Sequence, residues 1–486
     1  MYFCKAKMTL TDFILQHAQD DPVRLLLSRD KYPDIDLDLA VTTLEVRRKL
    51  RTKVPQWYAV PSLVYPSRLS GEQCSSSETA RYKASLAAGA GRAGTPPETC
   101  GHPRPHKREG PAGFGSEAES LLSDDGDKAC GRGRSEAETV SGGVSSRPRI
   151  ADLTGGMGVD SWAFSQVAEA VLYNEMDEAL VHATRLNFKE LGIWNVRFRN
   201  ERVEPGKVAE LLDGFEPDVI YLDPARRAED GKKVFLIEEC QPDVLALLPE
   251  LFAASRYVLL KLSPMADITM ACKRLEHVRE VHVVASGGEC KELLFLLDRE
   301  WDGLRSTFAV EDGSVMAIPS DPAAASTGSA TGSGSFGNPV VAPGASSFVI
   351  STGAKRSGEI FLFEPGKALT KAGAFGLPCD RYGLNKLGEH THLYVGETVP
   401  EELRPFGKRF EILEVLPLNN RTMKEVGKRW PQAEVTARNI PMTSELLRRK
   451  TGCVSGGDIH VFGARADGPS KPGNYLIITK RNERNG

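Results

Sequence analysis

The residues best suited to chemistry lie in one glycine turn and at the ends of the apolar runs around it. In Arg149-Ile150-Ala151-Asp152-Leu153-Thr154-Gly155-Gly156-Met157-Gly158-Val159-Asp160 a short apolar run ends in an acid and enters a turn with three glycines, and a helical pattern starts at Ser161. Glycine permits positive φ and close approach of the backbone to a ligand. The free amides at the start of the following helix face whatever is bound. A second run, Ala170 to Asn174, ends in Glu175. An acid at the tip of a second strand is placed to hold the ribose hydroxyls of a nucleoside ligand. Further on, Pro217-Asp218-Val219-Ile220-Tyr221-Leu222-Asp223-Pro224 is another apolar run closed by an acid and a proline, and Tyr257 to Pro264 carries Lys261 near its end. The glycine turn taken alone also fits a dinucleotide-binding fold or an ordinary helix cap.

These residues need a sheet to bring them together. From Ile150 to about Arg299 strand and helix patterns alternate, as a parallel sheet requires. The expected order is the run at Val171, a helix over Asp177 to Leu191, strands near Val196-Arg197-Phe198, Val219 to Leu222 and Tyr257 to Pro264, and a closing pair at Val281 to Val284 and Glu292 to Leu297. Ligands of open α/β sheets bind beyond the carboxyl ends of the strands, so Asp152, Glu175, Asp223 and Lys261 are expected in one cleft. Arg199-Asn200-Glu201 would place Glu201 beside them.

Residues 9–85 read as mostly helical, with Thr11 as a cap, a break at Asp20-Asp21-Pro22 and helical spacing from Leu37 to Leu50. The cations Arg47, Arg48, Lys49, Arg51 and Lys53 either complement the end of that helix or contact phosphates. Ser75 and Glu78 have capping-box spacing, and the same stretch, Leu69 to Lys83, is a candidate lining of a cofactor pocket. Residues 87–148 are dominated by Gly, Ala, Ser, Pro and charges and read as a disordered insertion. Asp321 to Gly337 reads as low-complexity linker. Around it Phe308-Ala309-Val310, Ser347 to Ile350 and Glu359 to Glu364 look like strands and Ala368 to Phe375 like a helix, together a small α+β module. From Phe410 strands and helices alternate again, with helices over Arg421 to Trp430 and from Thr443.

At 486 residues the chain exceeds one ordinary core. Its nine cysteines are scattered, without metal-ligand spacing, which points to a reducing compartment and no structural metal. No run of eighteen apolar residues or secretory core occurs, so a soluble cytoplasmic protein without a membrane partner is expected. The formal net charge is −3, yet from Glu401 onward 16 Lys/Arg stand against 10 Asp/Glu. That local excess of +6 suits the grip of a polyanion or is ordinary solvated charge.

Asp152-x-x-x-Gly156-x-Gly158 resembles motif I of class I S-adenosylmethionine (SAM) dependent methyltransferases, and Ile220-Tyr221-Leu222-Asp223-Pro224 resembles their motif IV. Two further groups of residues make the likeness more specific. Arg438-Asn439-Ile440-Pro441-Met442, Glu445 to Lys450 and Gly456-Gly457-Asp458-Ile459 resemble the C-terminal THUMP-like domain of a bacterial methyltransferase family. Glu364-Pro365 with Lys371-Ala372-Gly373-Ala374-Phe375 resembles the ferredoxin-like domain that precedes it. The resemblance implies an α/β fold: a Rossmann-like class I methyltransferase sheet at 149–300, an N-terminal helical region at 1–86, a ferredoxin-like domain at 301–405 and a THUMP-like domain at 406–486. It implies SAM held by Asp152, Thr154, Gly155, Gly156, Gly158, Asp160, Glu175 and Glu201, and catalytic roles for Asp223, Pro224, Arg226 and Lys261. Because THUMP domains bind RNA, it further implies a structured RNA such as tRNA or rRNA as partner, contacted by Arg448, Arg449 and Lys450. The motif departs from that of amine methyltransferases at Asp223-Pro224-Ala225-Arg226-Arg227, which lacks the second proline and the aromatic residue. Arg226 is left to stack on a base, hold a phosphate, or pair with Glu229 or Asp230. Methylation of protein or of a small molecule, and a non-catalytic SAM-binding RNA adaptor, are the other readings.

Overall fold

The computed structural model describes residues 8–90, 147–226, 237–319, 359–467 and 472–481. The centre of the molecule is a nine-stranded sheet of β1 (Arg149–Asp152), β2 (Ala170–Asn174), β3 (Val196–Arg199), β4 (Val219–Leu222), β5 (Tyr257–Leu262), β6 (Val278–Ser286), β7 (Glu289–Asp298), β8 (Ser306–Glu311) and β9 (Ser314–Ile318). In space they run β3-β2-β1-β4-β5-β7-β6-β8-β9. The first five are mutually parallel, and β7 is antiparallel to both β5 and β6. The order reverses at β1, the switch point beside which an open α/β sheet binds ligands.

Strand residues alternate between two cores, since successive side chains point to opposite faces. Ile150, Tyr221, Leu259 and Leu294 face the N-terminal helices and pack with Leu50, Trp57, Tyr82 and Leu86. Ala151, Ile220, Leu260 and Phe295 face the other way, toward the helix Val244–Ala254 and toward Phe361, Leu369 and Tyr394 of the next domain. Both faces of the parallel part are thus covered, which explains its nearly continuous apolar strands.

A second, seven-stranded sheet contains β10 (Phe361–Pro365), β11 (Asn385–Gly388), β12 (Thr391–Gly396), β13 (Gly407–Pro417), β14 (Glu434–Arg438), β15 (Ile459–Ala466) and β16 (Gly473–Arg481), in the order β11-β12-β10-β13-β16-β15-β14. The helices Asn420–Arg429 and Ser444–Thr451 cover its β14 end around Met423, Val426, Leu447 and Ile478.

Several expectations from sequence need correction. The strand at Phe308 belongs to the first sheet, not to the small α+β module, because β8 pairs in parallel with β6; the first sheet therefore extends to Ile318, past the expected boundary at 300. The helix Ser77–Gly89 runs beyond residue 86. Its cap is Ser76, whose side chain accepts from the Thr79 amide, so Ser75 and Glu78 form no capping box. The first helix is capped by Thr9, reciprocally with Asp12, and Thr11 lies inside it. The cations of the helix Leu37–Lys53 are largely engaged at home: Arg47 is buried on the Tyr58 and Val60 carbonyls, Arg48 holds that of Ala18, and Lys53 that of Glu72. Residues 91–146, and with them most of the expected disordered insertion, the linker from Asp321 and the strand at Ser347 lie outside the described residues.

Candidate functional site

The turn after β1 is built from beneath. Asp152 is fully buried, and its carboxylate accepts from Ser161 Oγ at 2.5 Å and from the Thr154 amide at 3.2 Å. Burial pushes its pKa up to about 8, partly opposed by the Ser161 hydrogen bond. Asp152 therefore supports the turn from below and does not line the cleft. Gly158 plays a similar part: its φ of 85° starts the helix Val159–Val167, and a Cβ there would stand 2.6 Å from the Thr184 side chain.

The tips of three strands are tied together by one amide. Asn174, fully buried at the end of β2, donates to the carbonyls of Leu153 and Glu201, at 3.0 Å each, and accepts from the Glu201 amide at 3.0 Å. Glu175 accepts from the Gly156 amide at 2.9 Å through one oxygen and from the Asp177 amide at 3.0 Å through the other. The Thr154 hydroxyl accepts from the Asp223 amide at 2.7 Å, so the glycine turn and the acid after β4 hold each other in register.

Beneath the cleft lies a buried charge cluster. Lys83, with 0% exposure, donates to Ser75 Oγ at 2.7 Å and to Glu292 at 2.9 Å and stands 3.1 Å from Asp160 Oδ1. Asp160 Oδ2 also accepts from Ser75 Oγ at 3.0 Å and from the Tyr221 hydroxyl at 2.9 Å. Burial raises the pKa of Asp160, but the charges of Lys83 and Lys261 and the hydrogen bonds from Tyr221 and Lys83 outweigh it, and the net shift is downward. Lys261 at the end of β5 contacts the carboxylate of Asp223. Burial lowers its pKa, but the carboxylates of Asp223, Glu292 and Asp160 prevail and the net shift is upward, so Lys261 keeps its proton.

Above these groups opens a cleft of about 1040 Å³. It is lined by Thr154, Gly155, Gly156 and Asp160 of the glycine turn and the helix after it, by Glu175 and Glu201 after β2 and β3, and by Asp223, Pro224 and Lys261 at β4 and β5. Gln73, Cys74 and Ser75 of the N-terminal region border it too. Of the site residues expected from sequence, these come together, whereas Asp152 and Gly158 do not reach the cleft. Arg226 pairs through its backbone with Cys240 in a two-strand ribbon, and its neighbours Arg227, Glu229 and Asp230 lie outside the described residues. Arg448, Arg449 and Lys450 lie in the last turn of the helix Ser444–Thr451, on the second sheet. Lys83 closes the stretch expected to line the pocket and Tyr221 lies in the expected strand before Asp223, but nothing in the sequence ties either of them, or Glu292, to this charge cluster. Among the described residues no group of three or more His, Cys, Asp or Glu is placed to hold a metal ion, and no helix is long and apolar enough to cross a membrane.

Comparison with known proteins bears on this arrangement. Residues 361–403 match the family model of a ferredoxin-like domain, and residues 407–481 that of a THUMP domain-like family. A search of curated protein sequences gives no match. Over 99% of this chain and 100% of its own, a solved protein of Porphyromonas gingivalis W83, provisionally assigned as a methyltransferase, superposes with a TM-score of 0.70 at 26% identity. The chain has a methyltransferase-like fold with ferredoxin-like and THUMP-like domains. Smaller overlaps occur with an rRNA methylase of Streptococcus thermophilus (13% identity, 31% of this chain and 87% of that one, TM-score 0.24) and with the 16S rRNA N2 G1207 methyltransferase of T. thermophilus (14%, 32% and 38%, TM-score 0.24). In the methyltransferase-like sheet the cleft sits at the carboxyl ends of β1, β2, β4 and β5. The seven-stranded sheet joins the two C-terminal domains, with β13 of the THUMP-like domain pairing with β10 of the ferredoxin-like domain.

Proposed function

We propose that the protein is a SAM-dependent methyltransferase acting on structured RNA, tRNA or rRNA, in the cytoplasm. The observation that carries the reading is the direct tie between Thr154 and Asp223, which puts the cofactor turn and the acid of the acceptor side on one cleft. The residues present suit SAM. A Cβ built on Gly156 would meet nothing within 4 Å, so the turn leaves open space on the cleft side. Glu175 is oriented by two backbone amides and keeps lone pairs for ribose hydroxyls. Glu201 also lines the cleft, and Asp160 borders it with its carboxylate held charged by the lysines beneath. The volume is at the upper end of small-molecule sites, enough for a cofactor and an acceptor group together.

When bound, SAM supplies a methyl group already activated by a sulfonium centre. The protein's task is then alignment, with base catalysis secondary. Asp223 orients the nucleophile and accepts its proton, Pro224 fixes the backbone that carries it, and Lys261 holds the Asp223 carboxylate in place. Arg226, three residues beyond Asp223, is proposed to serve the acceptor. The RNA part of the reading is supported by the THUMP-like domain and the exposed Arg449 and Lys450 on it.

The test tracks label from methyl-tritiated SAM into RNA, DNA and protein of cells lacking the gene, with Asp223→Ala alongside. Label in one RNA size class, lost with the variant, is expected. Label in protein overturns the RNA assignment, and SAM binding without label in any fraction turns the protein into an adaptor or a methyltransferase of a small molecule.

A further inference from the structure

The acceptor side of the cleft has a chemical polarity of its own. Lys261 Nζ contacts Asp223 Oδ2, while Asp223 Oδ1 receives no hydrogen bond among the described residues. The side chains are 14% and 34% exposed and both border the cleft. A carboxylate accepts only, and an ammonium with three N–H groups donates only. One acceptor therefore lies directly beside one donor, held as a pair.

Building on the methyltransferase reading, we propose that the methylated atom is the ring nitrogen of a lactam edge: N1 of a guanine, beside O6, or N3 of a uracil, beside O4. Such an edge presents one N–H next to one carbonyl, the complement of Asp223 beside Lys261. Charge development favours it over an amine. Methylation of an exocyclic amine on adenine or cytosine builds positive charge on the base, and an ammonium at hydrogen-bond range opposes it. Methylation of a lactam nitrogen draws electron density toward the carbonyl oxygen as the proton leaves, and an ammonium there stabilises that charge. The N–C bond forms as the S–C bond breaks, and the sulfur departs with the bonding pair as a neutral thioether. The ring proton passes to Asp223 Oδ1, and Lys261 keeps its own. Positive charge on the sulfonium and negative charge on Asp223 disappear together, so the step balances.

The base also needs walls. Asp223-Pro224-Ala225 lacks the aromatic residue that stacks on a base in amine methyltransferases. Pro224, Pro242, Pro264 and Met265 also line the cleft, and Met265 is 70% exposed. These flat or flexible apolar groups can flank a planar ring without an aromatic partner.

The experiment incubates the full-length protein with methyl-tritiated SAM and total RNA from cells lacking the gene, digests the RNA and separates the nucleosides. Label in N1-methylguanosine or in N3-methyluridine is expected, and which of the two appears identifies the base. Label on an exocyclic amine, a ring carbon or a ribose hydroxyl overturns the lactam assignment and leaves the RNA methyltransferase reading intact. No label in RNA overturns that reading, and the assignment with it. In the variant Lys261→Met, kcat is expected to fall by about 100-fold, as for loss of one donor to a developing oxyanion, while SAM binding persists. An unchanged kcat would remove Lys261 from the mechanism.

Discussion

Lys83 and Lys450 bring the same charge into opposite surroundings. Lys83 has no exposure and is met by Asp160, Glu292 and Ser75, which come from the helix Val159–Val167, from β7 and from the segment before its own helix. Lys450 and its neighbour Arg449 stand exposed at the end of the helix Ser444–Thr451. The contrast extends to the domains around them. The ferredoxin-like domain shares a continuous core with the first sheet, through Phe361, Leu369, Tyr394 and Leu403, whereas the helices of the THUMP-like domain close a separate core around Val426 and Leu447. The charge of Lys83 is structural and set against particular partners. Arg449 and Lys450 face solvent without an ion-pair partner among the described residues.

The largest effect is expected at Lys83. Replacing it with Met leaves Asp160 and Glu292 buried without their shared cation, and breaking a buried pair in this way costs about 3–5 kcal/mol. Urea unfolding measures it, and a loss below about 1 kcal/mol would put Lys83 in the same class as the surface cations. Adding Asp160→Asn and Glu292→Gln to Lys83→Met should recover part of the loss, since no unpaired charge then remains. Next is Asp223→Ala, expected to lower the methyl-transfer rate by about 10²–10⁴-fold, the usual range for a lost general base. Its stability and SAM binding should stay near those of the parent, which separates a residue that serves chemistry from one that serves the fold.

A smaller effect distinguishes the two regions by pH. The folded pKa of Asp152 is pushed up to about 8, first by burial, while an unfolded aspartate titrates near about 3.9. Between these values the folded state binds the extra proton, so this group's contribution is full below pH ~4 and is lost as pH rises toward 8. Melting temperatures of the parent and of Asp152→Asn, taken across that window, should draw apart in that direction. Parallel curves would mean that the carboxylate is ionised where it stands, with Ser161 and Thr154 compensating for its burial.

Legibility in the chain divides in the same way, between local and distant causes. Strand ends are local: an apolar run closed by an acid marks Asp152, Glu175 and Asp223, and the alternation of strand and helix carries them to one edge of a parallel sheet. The charge cluster is not local, since Lys83 and Glu292 are 209 residues apart. Nothing around either announces the other. Ser75 shows how a local rule fails. Ser75–Glu78 and Ser76–Thr79 have the same spacing, and the cap falls to Ser76 because Ser75 is drawn to Asp160 and Lys83. The strand at Phe308 was legible as a strand, but its sheet was not, because an apolar run does not say which edge it will pair with, and the edge of β6 was open to it.

The smallest effect on stability is expected at the exposed pair, where the effect on binding is specific. Arg449 and Lys450 close the helix Ser444–Thr451 and favour its C-terminal dipole by a few tenths of a kcal/mol each. Replacing both with Ala should therefore shift the unfolding free energy by less than about 1 kcal/mol. If both side chains contact phosphates, each releases counterions on binding, and the slope of log affinity against log salt should fall by about 1.4–1.8 in magnitude for the double variant. Arg448 is a useful control beside them. It is only partly exposed and leans toward Glu434 at 3.9 Å, so Arg448→Ala should change the slope less than either neighbour does. Equal slopes in the parent and the double variant, with RNA still bound, would move the RNA grip away from this helix while leaving the cleft and its chemistry untouched.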